Sequence, residues 1–273
     1  MRSGRSLLAG FIASAISATS LVGTSLVGTS LVATGLVATP ALAQDSEMPH
    51  ERWSFQSLFG TYDLAAAQRG FQIYSNVCSN CHSMKLLHYR DLSGIGLDAD
   101  QIKAIAANVT VPSGLDDQGN PKDGPATPAS PFKSPFANDI AARAANNGAL
   151  PPDLSLIVNA REGGPDYVYG ILTGFAQAPA GFKLQDGMNY NKTFPGHQIA
   201  MPQPLQDGTV EYTDGTPTNL NQEAHDVVTF LDWAANPETV ERKQIGVRVI
   251  LFLVFMTGIT YAVKRKVWSD VHH

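Results

Sequence analysis

Cys78-Ser79-Asn80-Cys81-His82 decides how the rest of this chain is read. C-x-x-C-H is the attachment motif for a c-type haem. Each part has a chemical job. Two thiols separated by two residues sit on one turn and can add to the two vinyl groups along one edge of the macrocycle. The histidine follows at once, so its imidazole can reach the iron as proximal ligand. These are the only two cysteines among 273 residues. A zinc site would need a second Cys/His pair at ligand spacing, and a thioredoxin-like pair would sit in a βαβ pattern. The sequence offers neither, so the motif predicts one covalent haem c.

Haem attachment of this kind takes place outside the cytoplasm, so an export signal is expected. Arg2 and Arg5 give a basic start, no acidic residue precedes Asp45, and Ala41-Leu42-Ala43 is an A-x-A cleavage site. Residues 1–43 therefore read as a signal peptide. Its extra length comes from a short repeat, Ser20 to Thr24, which recurs from Ser25 and again from Ser30. A retained N-terminal anchor is the alternative, weakened by the Gly, Ser and Thr content.

The far end carries a second apolar run. The 19 residues Ile245 to Val263 contain one charge, Arg248. That is about the length needed to cross ~30 Å of hydrocarbon. Arg248 lies near the start, where a long basic side chain can snorkel outward. Lys264-Arg265-Lys266 follow, with Trp268 beside them. Basic residues favour the cytoplasmic side, and Tyr261 and Trp268 suit the interface. Expected boundaries are residues 44–243 for an exported domain, 244–263 for a transmembrane helix and 264–273 for a cytoplasmic tail. A buried core helix would be the competing explanation of the apolar run.

Setting aside Arg2, Arg5, Arg248, Lys264, Arg265, Lys266 and Asp270 leaves the exported domain 13 basic and 23 acidic residues, a charge of about -10. An acidic domain at a membrane is no nucleic-acid binder, but it can steer a basic soluble partner. Simple solubility explains the charge as well.

Two helical patterns bracket the domain. The first starts near Asp63, a good N-cap, with Leu64, Ala67, Phe71, Tyr74 and Val77 at helix-face spacing. Gly70 within it suggests close approach of another helix. The second starts around Asn219 to Asn221, with Ala224, Val227, Val228, Leu231 and Trp233 to Ala235 as its apolar stripe, and ends before Pro237. Between them, Pro112 to Pro135 reads as a long irregular connection. Pro151-Pro152-Asp153 is placed to open a helix over Leu154 to Ala160. Asp166 to Leu172 reads as a short helix, and Thr209 to Tyr212 as the best strand in the loop-rich stretch from Thr173 to Thr218. The expected fold is mainly α with long loops, plus the C-terminal transmembrane helix.

His82 leaves one axial position. Methionine raises the potential of an electron-transfer haem by favouring ferrous iron. Met1, Met48, Met84 and Met256 are poorly placed: on the signal, near the new N-terminus, on the proximal side, and in the membrane helix. Met201, in Ile199-Ala200-Met201-Pro202, ranks ahead of Met188 in its polar turn. His197 ranks behind both, and His88 and His225 read as ordinary surface or core residues.

Longer stretches resemble a known family. They are Arg69 to Tyr74 leading into Val77 to Met84, and Ala142 to Ser155. Gly163-Gly164 with Asp166 to Val168 matches too, as do Leu172 to Gly174 and Phe194 to Gly196 followed by Ile199 to Met201. So do Phe230-Leu231 with Trp233-Ala234, and the tail from Tyr261 to Arg265 with Trp268. The mature chain resembles the cytochrome c1 family, the haem subunits of quinol–cytochrome c oxidoreductases (cytochrome bc1 complexes), in a bacterial form. The resemblance implies a cytochrome-c-like haem domain and Met201 as sixth ligand. It places Arg161 and Tyr167 near a haem propionate, and Asn146, Pro151 and Pro152 in the pocket wall. It implies cytochrome b, a Rieske iron–sulfur protein and a soluble cytochrome c as partners, in a bacterial inner membrane with the haem domain in the periplasm. Such a subunit is an electron carrier and no enzyme by itself. Some bacterial members carry a further cysteine pair; here the corresponding mid-chain stretch reads Gly174-Phe175-Ala176, and no disulfide is available. An independent membrane-anchored shuttle is the alternative. A ligand-sensing or peroxidatic haem protein would need an open sixth position, against which Met201 argues.

Overall fold

Asp63 accepts from the backbone N–H groups of Ala65 and Ala66, and so starts α1, Leu64–Asn76. The computed structural model describes residues 48–271; the expected signal peptide and its cleavage site lie outside these. The buried face of α1 is Ala66, Ala67, Gly70, Ile73 and Tyr74. Leu64, expected on that face, is largely exposed. The reason is the crossing partner, α5 (Leu220–Ala235), capped by Asn219 on the N–H of Gln222. It meets α1 at Gly70, where a Cβ would lie 2.1 Å from the carbonyl oxygen of Asp226 and 2.7 Å from Cβ of Phe230. The close approach expected at Gly70 is therefore present, and it sets which face of α1 turns inward.

The α1–α5 pair carries the core. Ile73, Val227, Val228 and Phe230 are fully buried, and Phe230 is tilted against Tyr74 and edge-on to Phe71. Phe132 joins the cluster, stacked on Tyr74 and 4.9 Å from Tyr89. Around this lie α2 (Ala99–Ala107), α3 (Asp139–Ala145) and α4 (Gly164–Thr173), with a 3₁₀ segment at Tyr89–Ile95. The expected helix at Asp166 to Leu172 is α4, begun earlier because Pro165 suits the first turn.

Three local expectations fail. The stretch after Pro112 is part of a hairpin, β1 (Thr110–Leu115) with antiparallel β2 (Pro121–Pro125). The Asp116 carboxylate accepts from the backbone of Gln118 and Asn120 and closes the turn, an Asx arrangement. No helix forms over 154–160; the chain makes successive turns. One oxygen of the Asp153 carboxylate accepts from the N–H of Ser155 in an Asx turn, and the other accepts from Ser83 and Lys85 of a distant segment. Residues 209–212 form no strand. Instead the N–H of Val210 donates to the carboxylate of buried Glu223. The strands of that region are β3 (Asn189–Tyr190) and β4 (Gln198–Ile199), paired antiparallel.

Only Asn236, Pro237 and Glu238 separate α5 from α6, Thr239–Val267. This 29-residue helix contains the 244–263 segment, is long and apolar enough to cross a membrane, and buries none of its apolar window. The chain is mainly helical with one long apolar C-terminal helix.

Candidate functional site

The Cys-x-x-Cys-His stretch begins where α1 stops. Beyond Asn76 the chain tightens into a single 3₁₀ turn, Cys78–Asn80. The N–H groups of Cys81 and His82 both donate to the carbonyl of Cys78, at 3.1 and 2.9 Å. The two spacer residues bind back to the helix: Ser79 Oγ donates to Ser75 and Asn80 Nδ2 to Asn76, satisfying carbonyls that the ended helix leaves open. Both thiols and the imidazole thus project from one braced turn.

His82 is held from across the sequence. Its Nδ1 lies 2.8 Å from the carbonyl oxygen of Pro152. A carbonyl only accepts, so Nδ1 carries the proton and Nε2 keeps its lone pair. Burial pushes the imidazole below its ordinary range, so the neutral ring is favoured. The strand of chain that supplies Pro152 is fastened alongside. Leu154 N–H donates to Ser83, Ser83 Oγ and Lys85 N–H donate to the Asp153 carboxylate, and Leu86 N–H donates to Ser155 Oγ. Of these, only Asp153 reads from the sequence as a helix starter; an Asp with a Ser two residues on is equally an Asx-turn signal.

The donor set fits a covalent haem. Cys78 and Cys81 are both free thiols, and burial pushes that of Cys78 up to about 12, so it stays protonated. The imidazole beside them offers an unencumbered nitrogen. One turn back, the hydroxyl of Tyr74 is buried without a hydrogen-bond partner, a polar atom left for something the protein chain does not supply.

The remaining expected residues take these positions. Met201 is half-buried two residues beyond β4, and its carbonyl accepts from Asn189 Nδ2 at 3.3 Å. Met188 lines a cleft of about 540 Å³ with Phe175, Tyr190 and Gln203. Met84 is wholly buried in the core. His197 is buried, with Nδ1 3.2 Å from the Asn191 carbonyl and its ring stacked near Tyr190. His225 stacks on Trp53, and His88 caps the 3₁₀ segment at Tyr89–Ile95. Arg161 is exposed and donates to the carbonyl of Ala160. It lies near enough to half-buried Tyr167 that its charge opposes the upward push of burial on that phenol. Asn146 caps α3 and donates to Ala142; Pro151 is half-buried and Pro152 exposed. Among the described residues, no hydrogen bond or ion pair joins Met201, Arg161, Tyr167 or Asn146 to the Cys78–His82 turn. Only Pro152 is brought directly to it.

Residues 53–271 match the family model described as the cytochrome C1 family. The chain is 45% identical to cytochrome c1 of Rhodospirillum rubrum, over 81% of this chain and 87% of that one. It is 45% identical to the mitochondrial "cytochrome c1, heme protein" of Schizosaccharomyces pombe, over 80% of this chain and 71% of the relative. A longer protein of Bradyrhizobium diazoefficiens, "cytochrome b/c1", is 42% identical over 82% of this chain, which spans only 36% of that protein. With the braced thiol pair and its oriented imidazole, these matches show that the chain belongs to the cytochrome C1 family of haem-carrying electron-transfer proteins.

Proposed function

We propose that the protein is the c-type haem subunit of a cytochrome bc1 complex, a quinol–cytochrome c oxidoreductase of a bacterial inner membrane. Cys78 and Cys81 would hold the haem by thioethers, and His82 and Met201 would ligate its iron. The observation that carries this is the Nδ1–H of His82 donating to the Pro152 carbonyl directly after two free thiols on one turn. That contact aims one neutral nitrogen and removes rotational freedom from the ring. When bound, the haem supplies one-electron chemistry. The protein's residues position it and set its surroundings: Arg161 and Tyr167 at a propionate, and Asn146, Pro151 and Pro152 in the pocket wall. No side chain is asked to act as acid or base, so the subunit is no enzyme alone.

Electrons arrive from a Rieske iron–sulfur protein and leave to a soluble cytochrome c. A head of charge about -10 suits a basic carrier, because opposite potentials raise the encounter rate. Cytochrome b is the membrane neighbour; the fused "cytochrome b/c1" relative supports that pairing. The helix α6 anchors the head on the periplasmic side, with Lys264, Arg265 and Lys266 in the cytoplasm. The short link Asn236 to Glu238 favours a docked subunit over a tethered shuttle.

An absorption spectrum and a redox titration of the parent and Met201→Leu test the ligand set. The parent should be low-spin, and the variant should lose the methionine-ligated spectrum and drop in potential. A parent that binds carbon monoxide readily, or a variant unchanged in both, sinks Met201. Purification from native membranes separates the two settings: a complex subunit brings cytochrome b and a Rieske protein with it, and a shuttle arrives alone.

A further inference from the structure

Leu58 and Phe59 are 68% and 77% exposed, yet the loop that displays them is built. The N–H of Gly60 donates back to Ser57, and a Cβ on Gly60 would lie 2.3 Å from the carbonyl oxygen of Ser54. Trp53, Phe55 and Tyr62 on either side are buried and packed ring against ring. The core is therefore filled where Leu58 and Phe59 would have to enter it.

Lys243, in the second turn of α6, fixes where this loop sits. Its ammonium donates to the carbonyls of Phe55, Ser57 (2.8 Å) and Gly60 (3.5 Å). The backbone on both sides of Leu58-Phe59 is thus pinned two residues ahead of Ile245, where the apolar run begins. At about 1.5 Å per residue, that is about 3 Å along the helix axis. A lysine at such a place ordinarily reaches for lipid headgroups. Here all three of its N–H donors are directed at the loop, which takes the place of a headgroup. The helix beside it is uncovered over its whole apolar length. Large apolar and aromatic side chains at that depth are those that favour the boundary between headgroups and acyl chains.

We propose that the Ser57–Gly60 loop is a second membrane contact, with Leu58 and Phe59 inserted at the lipid interface where α6 emerges. The inference rests on α6 spanning the membrane. The test uses the full haem-loaded chain in phosphatidylcholine vesicles, with nitroxide labels at Leu58→Cys and Phe59→Cys. Val254→Cys marks the middle of α6 and Asp117→Cys the exposed tip of the β1–β2 hairpin. The unmutated chain checks that Cys78 and Cys81 take no label. Power saturation with oxygen and with a water-soluble nickel chelate gives each label's accessibility ratio. The ratio at 58 and 59 should shift from that at 117 toward that at 254. A ratio equal to Asp117→Cys, with Val254→Cys lipid-like, overturns the proposal and leaves the anchor intact. Labels shielded from both reagents would mean that another protein surface, such as a second copy, covers the loop, and also overturn it. A water-like Val254→Cys would remove the anchor and the proposal together.

Discussion

His82 donates through Nδ1 to the carbonyl of Pro152, 70 residues away in sequence, at 2.8 Å. The 83–86 and 152–155 segments that bring these residues together are joined by four hydrogen bonds, two of them to the Asp153 carboxylate. The Asp153 carboxylate thus carries half of the bonds that brace the proximal side of the site.

Asp153→Ala should loosen it. Each hydrogen bond to a charged group is worth about 1.5–3 kcal/mol, and the Asp153 carboxylate accepts from Ser83, Lys85 and Ser155. Burial alone would raise this carboxyl; the hydrogen bonds from Ser155, Lys85 and Ser83 outweigh burial and hold it below the ordinary range. A carboxyl with a depressed folded-state value stabilises above its unfolded value of about 3.9 and loses that contribution as pH falls through the lower, folded one. Unfolding by guanidinium between pH 7 and pH 2 should show a loss of stability below about pH 4. That loss should shrink in Asp153→Asn. Identical pH profiles for parent and variant would refute the role.

Gly70→Ala tests the crossing of α1 and α5. The added Cβ meets backbone of Asp226 at 2.1 Å, which no rotamer change relieves. Overpacking of this kind costs about 3 kcal/mol or more, so Tm should fall by roughly 6–12 °C for a domain of this size. A shift within 2 °C, roughly, would mean the helices separate more freely than their contact suggests.

Arg69 grips Asp226 through Nε (2.7 Å) and Nη2 (3.1 Å), and Asp214 through Nη1 (2.8 Å). The Asp226 side chain is wholly buried, whereas Asp214 is 43% exposed. Arg69→Met strands a buried charge and should cost about 3–5 kcal/mol. Arg69→Met with Asp226→Leu should recover most of it, since the desolvated carboxylate goes too. A double variant as unstable as the single one would assign the loss to packing.

Lys243 holds the carbonyls of Phe55, Ser57 and Gly60 to the base of α6. Lys243→Met should leave the head folded and free its junction with the helix. At about 1.5 kcal/mol or more for the lost charged contacts, proteolytic nicking at Asn236 to Glu238 should speed up about tenfold. An unchanged nicking rate would show that the other contacts there, Tyr62 with Asp232 (2.7 Å) and Asn159 with Asn236 (3.0 Å), secure the junction without Lys243.

Features written in neighbouring residues were legible in the chain. Asp63 and Asn219 announce their helices because an N-cap bonds within three residues. The haem motif needs only one turn, and α6 needs only its own apolar length. Gly70 pointed to a close neighbour without naming it. What failed depended on partners far away. Asp153 looks like a helix starter, but it closes an Asx turn on Ser155 and ties that turn to Ser83 and Lys85, and the inward face of α1 shifts off Leu64 because α5 arrives at Gly70. The same division runs through the site. Two thiols and an imidazole are specified by five consecutive residues. Which imidazole nitrogen is free was decided by a carbonyl 70 residues on, because a tautomer is set by whatever the fold places against the ring, and local sequence carries no record of that.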